Sequence, residues 1–434
     1  MNRNRTAEKK GLARLLRHRE FMILWSGQIA SQLGDGLYLI GMLWLVKEMT
    51  GSNTMTGLAG TAMTAPGLLG LLAGVFVDRW DLRRTMIAAD AIRALLLLVV
   101  PALYWAGALV PWHVLAVTFA LFAVSQFFWP AKQAMVPGLV AKEDLMAANS
   151  LDFLSMQGTR VLGGAASGFI IAAVGAVHLF TLDSLTFLIS AAILRMRPVL
   201  RTGSGLTGVA PGNVRAGPTQ PGRRAIWEEF TAGLRYLVRT PFTAAIVPVS
   251  IVVNFAAGPI FVLMPGLAKD VLGLGPEGFG LLQSAMALGM VLGSVMAGIL
   301  GTRLNKGWLL IWGLLFMGLS LAMVGAVPKM TVSLAGLLVM GASNGVMNVT
   351  VISMFQERIP GQLLGRVFGA FGAVTFSIAQ PLGAGLGGLA ADLLSTNVIY
   401  VAAGLVIASC GVITAAMKPL REASGLFSAE HPAT

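Results

Sequence analysis

Long apolar runs separated by short polar or glycine-rich segments dominate the pattern of the chain. A helix needs about 20 mostly apolar residues to cross ~30 Å of hydrocarbon. Runs of that length occur near residues 21–46, 54–77, 85–106, 111–131, 146–172, 177–196, 242–268, 277–301, 307–327, 330–353, 364–389 and 396–417. The pattern therefore predicts an all-α integral membrane protein with twelve transmembrane helices in two sets of six.

A change of composition separates the two sets. Residues 197–224 are rich in Gly, Pro and Arg and have no apolar period, which is typical of a flexible linker. Apolar positions then recur at helical spacing within 225–241 and predict an interfacial amphipathic helix. The predicted organisation is a basic N-terminal segment, a six-helix bundle, a linker with this helix, a second six-helix bundle and a cytoplasmic tail, at residues 1–20, 21–196, 197–241, 242–417 and 418–434.

The two sets also resemble each other in sequence. The segment "AGVFVDR" (73–79) is similar to "AGILGTR" (297–303), and "VLGGAASG" (161–168) is similar to "PLGAGLGG" (381–388). Many secondary transporters are built from such internal repeats, with the substrate bound between them. The repeats therefore predict two pseudo-symmetric bundles.

Composition and charge agree with a membrane protein. Of the 434 residues, 56% are hydrophobic and 12% are charged, which is roughly half the charged fraction of a soluble domain. A net charge of +12 would suggest nucleic-acid binding in a soluble protein. Here most Lys and Arg residues fall in loops on one side of the predicted spans, which is the positive-inside pattern. We therefore expect a bacterial-type cytoplasmic membrane, both termini in the cytoplasm and no nucleic-acid partner.

Cofactor and metal chemistry find little support in the sequence. The chain has one Cys, and its four His are scattered, so neither a disulfide framework nor a zinc site is expected. No phosphate-binding loop of the Walker type occurs, so ATP hydrolysis is not expected either. The sequence predicts no cofactor and no metal.

Several motifs resemble those of one transporter family. The segment "GVFVDRWDLRR" (74–84) resembles the loop between helices 2 and 3 of the major facilitator superfamily. The segments "SQLGDGLYLIGMLWLV", "FFWPAKQAMVPGLV", "LMAANSL" and "LLGRVFGAF" resemble its branch of enterobactin and macrolide exporters. The resemblance covers nearly the whole chain outside the linker and tails. It implies two six-helix bundles around a central cavity, a monomer that works by alternating access, and export driven by a proton gradient.

The same resemblance implies a cytoplasmic gate in the loop after the second span. Its residues are Gly74, Asp78, Arg79, Arg83 and Arg84. The aspartate is implied to interact with the start of the eleventh helix, and the arginines with acidic groups such as Glu143 and Asp144. The simpler interpretation is that the arginines only fix the topology.

Asp35 lies near the middle of the first span, with no neutralising neighbour in sequence. A charge at the bilayer centre costs about 2.5–3.5 kcal/mol on insertion scales, so such residues usually face a cavity or a partner. Removal from water favours the neutral form of a carboxyl group, which allows it to bind and release a proton in turn. We predict that Asp35 is the leading proton-coupling residue. The alternative is a structural carboxylate held by hydrogen bonds or one buried cation.

Arg160 lies at nearly the same depth in the fifth span as Asp35 in the first. We therefore predict that these two residues pair and that protonation or substrate breaks the pair. Two alternatives remain open. Arg160 lines the cavity alone and attracts an anionic substrate, or it pairs with Asp152, which is itself a candidate coupling residue.

Three further charged residues lie within the predicted spans. Asp90 and Arg93 are three residues apart and share a helix face, so a structural pair is favoured over a coupling role. Asp183 lies near the start of the sixth span, where a carboxylate suits the helix N-terminus. A structural role is favoured for it too.

Uncharged polar side chains inside the spans are candidates for the substrate pathway. Each could instead join two helices through a hydrogen bond. The candidates are Gln28, Gln32, Gln126, Asn254, Gln283, Asn344, Asn348 and Gln380.

The function predicted from these observations is secondary active transport. The substrate would be a small amphipathic or lipophilic molecule, such as a drug, a macrolide or a siderophore-like compound, exported in exchange for protons. A lipid flippase on the same fold and proton-coupled uptake are the alternatives. An enzyme is not expected, because "GASNG" (341–345) fits a nucleophile motif around Ser343 without the strand–turn–helix context.

Overall fold

The computed structural model describes residues 15, 18–70, 80–141, 144–196, 223–301 and 304–421, and regular structure in that part of the chain is helical. The helices longer than ten residues are α1 Arg19–Thr50, α2 Asn53–Thr64, α3 Leu82–Trp105, α4 Pro111–Met135, α5 Leu145–Val174, α6 Val177–Met196, α7 Arg223–Arg239, α8 Pro241–Val262, α9 Pro276–Leu300, α10 Lys306–Ala326, α11 Met330–Arg358, α12 Gly361–Val374, α13 Gln380–Leu393 and α14 Thr396–Ala416. The predicted fold class is thus observed as far as helix content goes.

Ten helical segments of the described residues are long and apolar enough to cross a membrane, with α12 and α13 counted as one segment. Two of the twelve predicted spans are not among the ten. The fifth corresponds to α5, a helix of 30 residues. The second was expected at 54–77, and only its part up to residue 70 is described. The count of twelve therefore stays a prediction.

The second span departs from a continuous α-helix within its described part. Helix α2 ends at Thr64, and the 3₁₀ segment Ala65–Leu69 follows it. Pro66 lacks an N–H donor and restricts the residue before it, so the α-helical hydrogen-bond pattern is interrupted there. Hydropathy alone carries no signal for this interruption.

Contacts divide the molecule into two units. Unit 1 comprises Met1–Met49 and Ala65–Ala225, and unit 2 comprises Thr50–Thr64 and Ile226–Thr434. Unit 2 therefore contains α2, which belongs to the first set of six by sequence. Helix α2 packs on α13 and α8 inside that unit.

Within unit 1, helix α1 is positioned by a row of glycines on the side that faces α6. The row consists of Gly27, Gly34 and Gly41. A Cβ atom at Gly41 would lie 2.8 Å from Leu179 Cδ1, and one at Gly34 would overlap with Asp183 Oδ1. Small residues allow two membrane helices to approach this closely. Because this row of glycines faces α6, the adjacent Asp35 lies on a different face of α1.

The predicted amphipathic helix is present as α7. Leu237 is buried, and the position of Gly233 lies against the backbone at Arg366, in α12. One side of the helix is therefore covered by α12 in unit 2. Its placement on the inner leaflet stays a prediction.

Candidate transport site

Asp35 projects from α1 between two packing faces. On one side Gly34 lies against α6, and on the other Gly36 lies against the carbonyl oxygen of Thr159 in α5, where a Cβ atom would be 3.4 Å from that oxygen. The side chain of Asp35 itself is exposed. It is therefore free of the helix–helix contacts on either side and open to a proton or a substrate.

Charges from three other helices act on Asp35. Arg93 of α3, Lys132 of α4 and Arg160 of α5 each attract its carboxylate, and Asp90 of α3 repels it. Several cations at longer range moderate the cost of ionisation without fixing the carboxylate in one place. Charges from three other helices thus act together on Asp35.

The predicted ion pair between Asp35 and Arg160 is not formed in this structure. The described ion pairs of unit 1 involve Asp90, Asp144 and Asp152, and none joins Asp35 to Arg160. Both side chains are exposed, and they interact only through the longer-range attraction. The hypothesis of a direct pair does not apply to this conformation.

The alternative pairing of Arg160 with Asp152 is also absent. Lys132 Nζ donates to Asp152 Oδ1 at 2.7 Å and to Oδ2 at 2.9 Å, so the cation comes from α4. Two turns along one helix separate groups by roughly 12 Å, which is too far for Arg160 to compete. Gln32 Nε2 adds a longer bond to Asp152 Oδ1 at 3.4 Å, which joins α1 to the same carboxylate.

A cavity of about 430 Å³ lies beside this ion pair, between α1, α4 and α5 of unit 1. Trp25, Trp129 and the Lys132–Asp152 pair line it, with Lys132 Nζ 4.9 Å from the centroid of the Trp129 ring. Gln28 is buried in its wall, and Gln28 Nε2 donates to no described residue. An unpaired buried amide gains from a ligand acceptor, so the cavity can hold a molecule with both flat apolar and polar parts.

Asp90 and Arg93 form an ion pair deep inside unit 1. The guanidinium carbon of Arg93 lies 4.2 Å from the ring centroids of both Phe128 and Phe187. The Ser190 hydroxyl donates to Asp90 Oδ2 at 2.7 Å. The pair is enclosed by these contacts, although Arg93 Nε donates to no described residue, and this geometry favours the structural interpretation of the two residues.

Asp183 has a different environment from the one expected. It is the seventh residue of α6, beyond the first turn where a helix N-terminus stabilises a carboxylate. The fully buried side chain faces Gly34 of α1. The Thr186 hydroxyl lies 3.1 Å from Asp183 Oδ1, and Oδ2 accepts no hydrogen bond from a described residue.

A second cavity, of about 270 Å³, lies within unit 2 between α8, α10, α11 and α12. Its polar groups include Asn254, Asn344 and Asn348, and its apolar wall includes Met317 and Phe371. The described lining residues carry no titratable side chain. The cavity therefore suits an apolar molecule with a few neutral hydrogen-bonding groups.

The remaining polar candidates do not line either cavity. Gln126 Nε2 donates to the carbonyl oxygen of Phe122 in its own helix, at 3.3 Å. Gln283 is buried, and its Oε1 has no partner among the described residues. Gln380 is half-buried at the start of α13.

The predicted gate loop is described only in part. Gly74, Asp78 and Arg79 lie outside the described residues, as does Glu143. Their roles stay predictions.

The described arginines of this loop form hydrogen bonds at the ends of helices. Arg83 donates through Nε to the carbonyl oxygen of Leu194 at 2.9 Å and through a terminal nitrogen to that of Arg195 at 3.0 Å. An arginine at the last carbonyls of α6 is favourable to the helix C-terminus. The backbone N–H of Arg84 donates to Asp81 Oδ1 at 2.7 Å, so Asp81 is the N-cap of α3. Among the described residues, Arg83 thus contacts main-chain carbonyls and not the expected Asp144.

Asp392, at the end of α13, was missed by the sequence analysis. Its carboxylate accepts hydrogen bonds from the backbone N–H groups of Asn53 and Thr54 at 2.7 and 2.8 Å. The hydroxyls of Ser52 and Thr54 both donate to Asp392 Oδ2 at 2.7 Å. The Ser-Asn-Thr sequence signals a helix start at this point, but nothing in it indicates a capping group from a distant helix.

Metal-binding clusters of His, Cys, Asp and Glu are absent from the described parts of the chain. Residues 11–432 match the transmembrane secretion effector family of the major facilitator superfamily. The chain belongs to this family. The family consists of membrane transporters, which confirms the predicted family and the prediction of a transporter that is not an enzyme.

Two relatives match almost end to end. Macrolide efflux protein A of Streptococcus pyogenes is 24% identical over 407 residues, which cover 93% of this chain and 97% of the relative. Multidrug efflux pump Tap of Mycolicibacterium fortuitum is 25% identical over 417 residues, which cover 92% of this chain and 96% of the relative.

Solved structures share the fold at lower identity. A crystal structure of the nucleoside transporter NupG has a TM-score of 0.70 at 10% identity and covers 92% of this chain and 98% of its own. A D-xylose-proton symporter has a TM-score of 0.68 at 14% identity and covers 94% of this chain and all of its own. At these identities the likeness concerns the fold alone.

Proposed function

We propose that this transporter exports a small amphipathic or lipophilic molecule in exchange for protons, by alternating access. The proposal is carried by Asp35, an exposed carboxylate in the middle of α1 that lacks a fixed ion pair in this structure. A position deep in the span disfavours a charge, while Arg93, Lys132 and Arg160 attract the Asp35 carboxylate from three other helices. A group balanced in this way can take up a proton on one side of the membrane and release it on the other.

Twelve transmembrane helices in two bundles are part of the proposal. The ten spanning segments, the 30-residue helix α5 and the partly described second span support that number. The positive-inside pattern supports a cytoplasmic membrane with both termini in the cytoplasm. The protein would act as a monomer with protons and one small molecule as its partners.

The two cavities support an amphipathic substrate. The cavity of unit 2 offers an apolar wall with the amides of Asn254 and Asn344, and the cavity of unit 1 offers two tryptophans and Gln28. The names of the relatives, a macrolide efflux protein and a multidrug efflux pump, support export as the direction.

The loop Gly74–Arg84 would be the gate at the cytoplasmic side, as the family resemblance implies. The contact of Arg83 with the last carbonyls of α6 supports a role in holding this loop against the helix ends. The loop would stabilise the outward-open state.

Proton flux in sealed vesicles tests the proposal. Purified protein is reconstituted with a pH-sensitive dye inside and an imposed pH gradient, and candidate macrolides, siderophores and lipophilic cations are added. We compare the wild type, Asp35→Asn and Glu48→Gln. The last is a matched control because Glu48 is an exposed carboxylate of the same helix, away from the bilayer centre. The expected result is substrate-triggered proton flux in wild type and Glu48→Gln and none in Asp35→Asn, which keeps its substrate binding.

The other outcomes each point to a different interpretation. Equal flux in wild type and Asp35→Asn would make Asp35 structural and move the search to Asp152, Asp183 and Asp90. Proton movement in the same direction as the substrate would indicate uptake. A lack of flux with every compound, together with movement of labelled lipid between the leaflets, would establish the flippase alternative.

A further inference from the structure

The carboxylate of Asp392 caps the first turn of α2. The first N–H groups of any helix lack partners inside the helix, and a carboxylate there is favoured by hydrogen bonding and by the helix dipole. A cap of this kind normally comes from the residue that precedes the helix. Here it comes from a residue that is 338 positions away from Thr54, and Ser52 and Thr54 add their hydroxyls to the same carboxylate.

Below the cap, α2 and α13 touch backbone to backbone. A Cβ atom at Gly57 would lie 2.5 Å from the carbonyl oxygen of Ala384 and 3.0 Å from the Cα atom of Gly388. The Thr61 hydroxyl donates to the carbonyl oxygen of Pro381 at 3.0 Å. The contact therefore continues for more than two turns below the cap, and glycines permit the short distance between the two helices.

The chain ties this contact to unit 1. Only Gly51 and Ser52 separate α2 from α1, and Gly51 makes the turn with a φ of 65°. Most of α1 belongs to unit 1, whereas α2 packs inside unit 2. If α2 follows α1 in a motion that draws the first six spans away from the last six at this end of the molecule, the cap must break.

Most groups of the cap lie within reach of water. Asp392 is exposed and Ser52 and Thr54 are half-buried, whereas Asn53, which donates its backbone N–H, is buried. Water can replace the four hydrogen bonds after separation, so the net cost of opening is much smaller than the gross strength of the bonds. Such a contact can bias an equilibrium between two states and still break in each cycle.

We propose that Asp392 is a latch that closes the transporter at the membrane face where α1 ends and α2 begins, and that its release is a step of the transport cycle. The inference rests on the proposed alternating-access function. Asp392 lies at the end of the eleventh predicted span and caps the start of the second, so the contact joins a span of the first set of six to a span of the second set.

Distances between spin labels at this face test the latch. Labels are attached to cysteines at Ala108, in the loop before α4, and at Lys329, in the loop before α11, in a Cys410→Ser background. Both positions are exposed. Asp392→Asn removes the charge and half of the acceptor capacity, whereas the control Glu277→Gln removes a charge from the first turn of α9 without touching α2. We expect the ratio of long to short distances to rise roughly tenfold in Asp392→Asn and to stay unchanged in Glu277→Gln.

A second variant separates the latch from a general effect of charge or folding. Thr54→Val removes one hydroxyl donor from the cap and should shift the distances in the same direction by a smaller factor. Combined with Asp392→Asn it should add nothing, because both changes act on one contact. Identical distributions in wild type and Asp392→Asn, or an equal shift in Glu277→Gln, would overturn the latch while leaving proton-coupled export intact. A single unchanging distance in wild type with and without a pH gradient would overturn both the latch and the alternating access on which it rests.

Discussion

Two carboxyl groups buried in unit 1 differ in the partners they have. Asp90 has an ion pair with Arg93 and a hydrogen bond from Ser190. Asp183 has only the Thr186 hydroxyl, whose single proton is shared with the main-chain carbonyl oxygen of Asp183 at 2.8 Å. An ionised carboxylate without donors is costly in a medium of low polarity, whereas a protonated one is not. We infer that Asp90 is ionised and that Asp183 carries a proton.

Substitution by asparagine distinguishes these two states. In Asp183→Asn a neutral amide replaces a neutral carboxyl of the same shape, so we expect nearly unchanged stability. In Asp90→Asn the buried Arg93 loses its counter-charge, and we expect a loss of about 3–5 kcal/mol in the free energy of unfolding. Thermal unfolding of the purified protein in detergent measures both. An equal loss in the two variants would show that Asp183 is ionised and held as firmly as Asp90.

The neutral amides of the unit 2 cavity lead to a second prediction. Asn344→Leu keeps the volume but removes the donor and acceptor that a polar group of the substrate would use. One lost hydrogen bond is worth about 1 kcal/mol, so we expect binding to weaken about five- to tenfold, with proton coupling retained. Gln126→Leu is the control, because its amide donates within its own helix. Equilibrium binding to the purified protein gives the affinities, and a similar loss in both variants would exclude a specific contact at Asn344.

The sequence singled out some residues of the candidate site and missed others for physical reasons. A charge in the middle of an apolar run singles out Asp35, and a separation of three residues predicts contact of Asp90 with Arg93. The Lys132–Asp152 pair joins two different helices, and hydropathy carries no information on which helix faces meet. Asp392 was missed because a charge in the last turn of a span is what any span boundary contains.

Breaks in the helices within the spans are likewise not indicated by hydropathy. The apolar run at 364–389 correctly indicated a membrane segment, but the structure breaks it into α12, a π-helical turn Thr375–Ala379 and α13. Pro381 lacks an N–H donor, so the α-helical pattern cannot pass through it unchanged, and a π turn absorbs the mismatch. The carbonyl oxygen of Pro381 accepts the hydrogen bond from Thr61 of α2. Length and hydropathy thus predict a span, whereas tertiary contact decides its course.

Close approach of α2 to α13 gives a prediction at the scale of these two helices. In Gly57→Ala the added methyl group meets the backbone at Ala384 and Gly388, which cannot rotate away as a side chain could. Overpacking of this kind costs about 1–3 kcal/mol, and we expect a matching loss in the free energy of unfolding. Gly298→Ala is the control, because a Cβ atom at this α9 position meets nothing within 4 Å and alanine favours a helix by up to about 1 kcal/mol. Unfolding in detergent measures both, and equal stability of the two variants would argue against tight packing at Gly57.

Charged side chains within the spans and neutral amides of the cavities are distributed unequally between the two units. Within the described spans, the charged residues at least six positions from both ends of their α-helix are Asp35, Asp90, Arg93, Asp152, Arg160 and Asp183, all in unit 1. The cavity of unit 2 is lined by apolar groups and amides. This unequal distribution is visible in the sequence, because the charged residues interrupt apolar runs of the first half. It could not show that α2 packs with unit 2, because that contact depends on glycines and a cap that are hundreds of residues apart.

This division predicts how transport responds to a membrane potential. If Asp35 alone exchanges its proton, one proton moves against each substrate molecule, so export of a neutral substrate carries one net charge and exchange for a monovalent cation carries none. In inside-out membrane vesicles, the proton leaves the lumen as the substrate enters. A lumen-positive potential, set by valinomycin with potassium in excess outside, should therefore increase accumulation of a neutral substrate.

The size of the effect follows from the charge moved. About 60 mV acts on one charge with about 1.4 kcal/mol, so the accumulation ratio of the neutral substrate should rise roughly tenfold, while that of a monovalent cation should not change. Asp35→Asn should abolish the response, and Glu48→Gln should keep it, since Asp35 lies near the middle of its span and Glu48 near the end. A response for the cation but not for the neutral substrate would contradict proton antiport, because it would mean that the charge moved is the substrate's own. A hundredfold rise would require a second proton and would bring Asp183 into the coupling path.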